Sequence, residues 1–158
     1  MNINIISVGK IKEDYFKAAL AEYEKRLSRF CRLTCIVLPD KKIPDNPSKG
    51  ECEAVLRAEG EQIMSKIARG DRVIAMCVEG KMLSSEALAK KIEKLSFSGG
   101  DIDFVIGGSL GLWDEVKNRA DFRLSLSPMT LPHRIARLVL EEQIYRAFKI
   151  NANETYHK

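Results

Sequence analysis

The chain has 158 residues, 45% hydrophobic and 30% charged, with a net charge of +4. That length favours one domain over residues 1–158, with a single core able to bury about 68–70% of the unfolded surface without a metal or disulfide staple. No run reaches the roughly 20 apolar residues of a membrane span, the opening apolar run is too short for a signal peptide, and Cys31, Cys35, Cys52 and Cys77 lack any CxxC spacing. These features predict a cytoplasmic protein whose reduced cysteines act as small buried hydrophobes.

The β-branched residues of Asn2–Val8 predict a strand. Residues 15–30 follow as a helix, with Phe16, Leu20, Tyr23, Leu27 and Phe30 recurring at steps of four and three. Residues 33–38 read as a second strand, and residues 39–47, with three prolines, as a loop. Ser48 and Glu51 have the spacing of a capping box, opening a helix to about Arg69. Residues 73–78 form a nearly all-apolar third strand, residues 84–95 a helix, and Ile102–Ile106 a fourth strand. A short helix over residues 112–119, a strand over 122–126 and a long helix over 131–149 complete the series. Strand alternates with helix throughout, which predicts an α/β fold with a mostly parallel sheet flanked by helices. In such sheets ligands sit at the carboxyl ends of strands, so the turns after Val78, Ile106 and Leu126 are expected to share one cleft. The last helix is apolar on two faces, Leu131, Ile135, Leu138 and Val139 on one, and Ala136, Leu140, Ile144 and Phe148 on the other. One face covers the sheet; the other favours a second subunit over burial within one chain.

Two segments carry most of the functional argument. Gly107-Gly108-Ser109-Leu110-Gly111 follows a strand and opens a helix, but it is not GxGxxG, and Ser127 stands where a dinucleotide site places an acid. Alone it describes a tight turn. Gly9-Lys10 lacks the rest of a phosphate-binding loop. The second segment is the loop Ser125 to Pro132, followed by His133, Arg134 and Arg137. Basic residues at a helix start oppose the macrodipole. His133 reads either as a base or as a capping residue. Arg137 and Glu141 stand at i,i+4 and are expected to pair, whereas Arg134 has Leu138 four residues on and reads as free to bind an anion. The tail Tyr156-His157-Lys158 combines a stacking ring, an imidazole and a cation, a mixture suited to nucleic acid; the same residues also describe a frayed terminus. Lys25, Arg26, Arg29 and Arg32 form a basic cluster that reads equally as a solvated face. The single tryptophan, Trp113, reads as a packing residue.

Taken jointly, Val8-Gly9-Lys10, Gly60-Glu61, Gly80-Lys81, Ile106 to Gly111, Leu131-Pro132-His133, Tyr145-Arg146-Ala147 and the Tyr156-His157-Lys158 tail closely resemble the small SPOUT methyltransferases that act on N3 of a pseudouridine in large-subunit (23S) ribosomal RNA. The resemblance spans essentially the whole chain. It implies a C-terminal trefoil knot, a homodimer, and the ribosome as substrate, with neither metal nor membrane involved. It implies S-adenosylmethionine held by three loops, mapping to Met76, to Gly107, Gly108 and Gly111, and to Ser127, Pro128, Met129, Thr130, Leu131 and Pro132. His133 and His157 become candidate bases, Lys158 and Arg134 groups for an anionic base or a phosphate, and Tyr156 a stacking ring, with one subunit's tail completing its partner's site. Lys158 offers a point charge where an arginine would offer a planar fork. Two other readings remain: a ribosome-binding factor that kept the fold without catalysis, and a nucleotide-dependent oxidoreductase, which the broken glycine spacing disfavours.

Overall fold

The computed structural model describes residues 1–156. Five strands, β1 (Asn2–Val8), β2 (Arg32–Leu38), β3 (Arg72–Met82), β4 (Ile102–Ile106) and β5 (Phe122–Ser125), alternate with α1 (Asp14–Leu27), α2 (Lys49–Met64), α3 (Ser85–Ser96), α4 (Asp114–Arg119) and α5 (His133–Asn151). They form one sheet in the order β2-β1-β4-β3-β5, every neighbouring pair parallel. The alternation of strands and helices thus gave the right class.

Period-two side-chain alternation splits the core between the two faces of the sheet. On one face Ile3, Ile5, Ile74, Phe104 and Leu124 meet Leu27 of α1, Leu88 and Ile92 of α3, and Leu140, Ile144 and Phe148 of α5. On the other, Ile6, Val8, Val73, Ala75 and Val105 meet Ile63 of α2 and Val116 of α4. Every residue of β4 is buried, as expected of a parallel strand covered on both faces.

α2 starts where its capping box predicts. The Glu51 N–H donates to Ser48 Oγ at 3.1 Å and the Ser48 N–H donates to Glu51 Oε1 at 3.4 Å. Most boundaries fall within two residues of the periodicity; three differ in ways the contacts explain. α1 ends at Leu27, not Phe30, because the N–H groups of Phe30 and Cys31 both turn back onto the Leu27 carbonyl, at 2.8 and 3.0 Å. The Phe30 ring still packs on the core, stacked on Phe148 with centroids 5.6 Å apart. α2 stops at Met64 rather than Arg69: the hydroxyl of Ser65 donates to the Gln62 carbonyl at 2.6 Å, and residues 66 and 67 follow in tight turns. β3 runs on to Met82 instead of ending at Val78. Its pairing with β5 breaks after Met76 and resumes at Lys81. Gly80 allows the return, since a Cβ there would lie 2.7 Å from the Leu124 backbone.

The predicted Arg137–Glu141 pair forms, with Nε donating to Oε1 at 2.9 Å, and Arg137 Nη2 also donates to Glu24 Oε1 of α1 at 3.0 Å. Both Arg137 and Glu141 are buried. Burial pushes Glu141 up to about 7 against the opposing pull of the guanidinium. Cys35 lies beside this network, its thiol also pushed up by burial, to about 12. The cysteine expectation holds fully for Cys31 alone; Cys35, Cys52 and Cys77 are half-buried. On the outer side of α5, Leu138 and Val139 are half-buried and Ile135 is exposed.

Candidate active site

The carboxyl ends of β3, β4 and β5 open into one cleft of about 740 Å³. Its walls are residues 76–79, 106–112 and 129–134 together with Leu124, Leu126, Ser127, Lys117 and Ala136. The three expected loops therefore converge. A second, more open groove of about 680 Å³ lies at the amino end of β1 and β2, the wrong end of a parallel sheet for a ligand site.

The glycine turn is built by its own backbone. The Gly111 N–H donates to the Gly108 carbonyl at 3.0 Å. Gly111 has φ +84°, a conformation that L side chains rarely adopt, and a Cβ on Gly107 would lie 2.3 Å from the Gly111 oxygen. Gly108 answers to a different neighbour: its Cβ would lie 2.8 Å from Glu59 Oε2. The third loop is held open by its serines. Ser125 Oγ donates to the Ser127 carbonyl at 3.0 Å, and Ser127 Oγ accepts from the Met129 N–H at 3.0 Å. Of the expected cofactor residues, Met76, Gly107, Gly108, Gly111, Ser127, Met129, Thr130, Leu131 and Pro132 line the cleft. Pro128 is exposed and is not part of the lining.

His133, the first residue of α5, lines the cleft mouth with its ring against Gly9, where a Cβ would lie 3.2 Å from Cε1 and Nε2. Its Nε2 is buried without a hydrogen-bond partner among the described residues. Desolvation, then the neighbouring Arg134 charge, push its pKa down, against weaker upward pulls from Asp40 and Glu13. The imidazole is thus neutral at pH 7, the form a base requires. The expectation that Arg134 is free to take an anion is corrected, because it forms an ion pair with Glu13, a partner 121 residues away in sequence. At the opposite rim Lys117 Nζ pairs with Glu79 Oε1 at 2.5 Å.

Tyr156 is not part of the cleft lining. Its hydroxyl donates to Glu142 Oε1 at 3.3 Å, its ring meets Tyr145 edge-on at 4.9 Å, and the Arg146 guanidinium lies 4.8 Å from its centroid. The ring is therefore already occupied on the side of α5. The roles expected of His157 and Lys158 lie outside the described residues. In the basic cluster, Arg26 donates to Glu22 at 2.7 Å and stands over the Tyr23 and Tyr145 rings. Trp113 packs, as expected, in the core beneath α2, where a Cβ on Gly60 would meet its ring at 2.6 Å.

Sequence reasoning missed Glu59. It is buried behind Gly108 and accepts the Lys41 N–H at 2.9 Å. The available signal was an acid set in the apolar i,i+4 row Val55, Glu59, Ile63 of α2.

Comparison with known proteins agrees with this geometry. A family model described as "Predicted SPOUT methyltransferase" matches residues 1–157. The chain is 53% identical over 159 residues to the ribosomal RNA large subunit methyltransferase H of Clostridioides difficile (strain 630), covering all of both chains. It is 52% identical, again over all of both chains, to the protein of that name in Levilactobacillus brevis. Among solved structures, a probable methylase family protein from Haemophilus influenzae Rd KW20 superposes with a TM-score of 0.56 over 99% of this chain and 70% of that one; at 16% identity the likeness concerns the fold.

Proposed function

The chain belongs to the SPOUT methyltransferase family, and from that membership we propose that it transfers a methyl group from S-adenosylmethionine to N3 of a pseudouridine in 23S ribosomal RNA. The names of its full-length relatives support ribosomal RNA as the substrate class. The assembled ribosome in the cytoplasm is the proposed setting. The acting unit is proposed to be a homodimer of knotted subunits, each a single domain of 158 residues. The half-exposed apolar side of α5 supports a second subunit.

The observation that carries the reading is the three-loop cleft with a neutral, unpartnered imidazole at its mouth. The residues present fit a methyl donor with a nucleoside and an amino-acid end. Residues of the 107–111 turn, Ser127 and residues 129–132 line the cleft, Met76, Ile106, Leu124 and Leu131 offer apolar walls, and Lys117 with Glu79 offers opposite charges. When bound, the donor supplies an electrophilic methyl carbon on a sulfonium. The chain then has to hold the acceptor in line and take one proton. His133 is the proposed acceptor of the N3 proton once its ring turns Nε2 from Gly9 toward the substrate, and Arg134 would act on the nitrogen anion only by leaving Glu13. Tyr156 anchors the tail on α5, outside its own cleft, which supports delivery of His157 and Lys158 to the partner's cleft.

Labelled methyl transfer to ribosomes lacking the modification, followed by mapping of the labelled nucleotide, tests the reading. Label at a pseudouridine N3 is expected. Binding to ribosomes without label would favour a non-catalytic factor. Losing a catalytic base costs about 10²–10⁴-fold in rate, so His133→Ala and His157→Ala separate the two candidates. An unchanged rate in either variant removes that residue from the role.

A further inference from the structure

Glu59 has no place in the mechanism above, yet the fold holds it at some cost. It is 4% exposed, its Oε1 accepts one backbone N–H, and its Oε2 is buried with no partner among the described residues. A buried carboxyl so poorly satisfied disfavours folding relative to an apolar side chain in the same Val55–Ile63 row. Burial pushes its pKa up and the Lys41 N–H only partly offsets this.

What it joins is specific. The Lys41 N–H belongs to the loop between β2 and α2, where the side chains of Lys41 and Lys42 are exposed. Asp40 in that loop lies near enough to act on both His133 and Glu59. The other oxygen abuts Gly108, with Val8 closing the same space. The following residue, Gly60, lets α2 lie flush on Trp113, just beyond the glycine turn. One side chain thus bridges a loop bearing two exposed lysines, with Asp40 and Asp45 beside them, and the turn that lines the cleft.

We propose that Glu59 is a positioning residue that couples RNA engagement by the Lys41–Lys42 loop to the cofactor-binding shape of the Gly107–Gly111 turn. Phosphates of the RNA draw the loop's lysines. The Glu59 tie passes the loop's position to Gly108, so that donor and RNA bind with mutual advantage. The inference rests on the RNA methyltransferase reading above.

The test measures the dissociation constant of S-adenosylhomocysteine by equilibrium dialysis without and with saturating ribosome, alongside the KM for S-adenosylmethionine at limiting and at saturating ribosome, using full-length protein. The wild type is expected to show a ratio of at least fivefold in both. Glu59→Ala should bring it within twofold of unity, with kcat falling less than the ratio. Glu59→Gln, which keeps the acceptor oxygen, should restore most of it. Lys41→Pro deletes the N–H while Lys41→Ala deletes only the charge. The proline variant should therefore lose coupling, and the alanine variant should raise the ribosome KM and keep it. If Glu59→Ala unfolds, the Gln and Lys41 variants decide alone. A wild-type ratio below twofold overturns the proposal, as does a wild-type ratio in Glu59→Ala or Lys41→Pro. Absence of methyl transfer by the wild type instead overturns the underlying reading.

Discussion

Gly50 and Gly60 lie in the same helix, and the same substitution is expected to act on them with opposite sign. Glycine to alanine in a helix gains about 1 kcal/mol from propensity. At Gly50 the nearest atom to a new Cβ is Ser48 Oγ at 4.0 Å, so nothing opposes the gain. At Gly60 the new Cβ would lie 2.6 Å from Trp113 Cε3 and 2.7 Å from Trp113 Cβ, inside contact distance of a ring packed in the core. Overpacking of this kind costs about 1–3 kcal/mol, which outweighs the propensity. For a chain of this size each kcal/mol moves Tm by about 2–4 °C. Gly50→Ala should therefore melt about 2–4 °C higher, and Gly60→Ala, at a mid-range net cost of about 1 kcal/mol, about 2–4 °C lower. Because Trp113 immediately follows the glycine turn, Gly60→Ala should also weaken S-adenosylhomocysteine binding several-fold, and Gly50→Ala should not. Thermal unfolding by far-ultraviolet circular dichroism and calorimetric titration measure both effects. Equal stabilisation by the two substitutions would refute the claim that the Glu59-Gly60 step is shaped by the turn it covers.

Asp103, fully buried on β4, accepts from Asn4 at 2.7 Å and faces Asp71; burial pushes its pKa up to about 6. A raised carboxyl is stabilising in its neutral form, so stability measured against the Asp103→Asn variant should fall as pH rises from about 4 through 6. The loss is at most about 3 kcal/mol, and the substitution should flatten a plot of urea midpoint against pH and raise its value at pH 8. Arg137→Met should cost about 3–5 kcal/mol by leaving Glu141 buried without its cation. Adding Glu141→Leu should recover most of that loss in the same unfolding assay, and failure to do so would mean that the guanidinium stabilises chiefly through Glu24.

The sheet was legible because β1 and β4 are rich in β-branched residues and turn signals bound them. The second half of β3 was not, because Cys77 to Gly80 leaves the ladder and returns, and only the three-dimensional fit of Gly80 against β5 shows it. The three cleft loops followed from strand order and family resemblance together. The charges did not. Arg134 seemed free because its acid is on the far side of the sequence, and the Glu24 contact of Arg137 is invisible to an i,i+4 rule. The error is physical in origin, since local spacing reports only the partners that a helix itself supplies.

The strand order also governs when the fold can exist. β1 is made first, but Ile3 pairs with Ile102 on its inner side. At ribosomal speeds of about 5–20 residues per second, roughly a hundred residues of synthesis leave β1 waiting about 5–20 s for that neighbour. Through that interval β2 is the only strand paired with β1, whose other edge stays open, and α1 and α2 are the only helices made that can cover Ile3, Ile5, Ile6 and Val8. The nascent protein is therefore most exposed to aggregation, and most dependent on chaperones, before β4 emerges, and a C-terminally shortened chain ending before residue 102 should never outgrow that dependence.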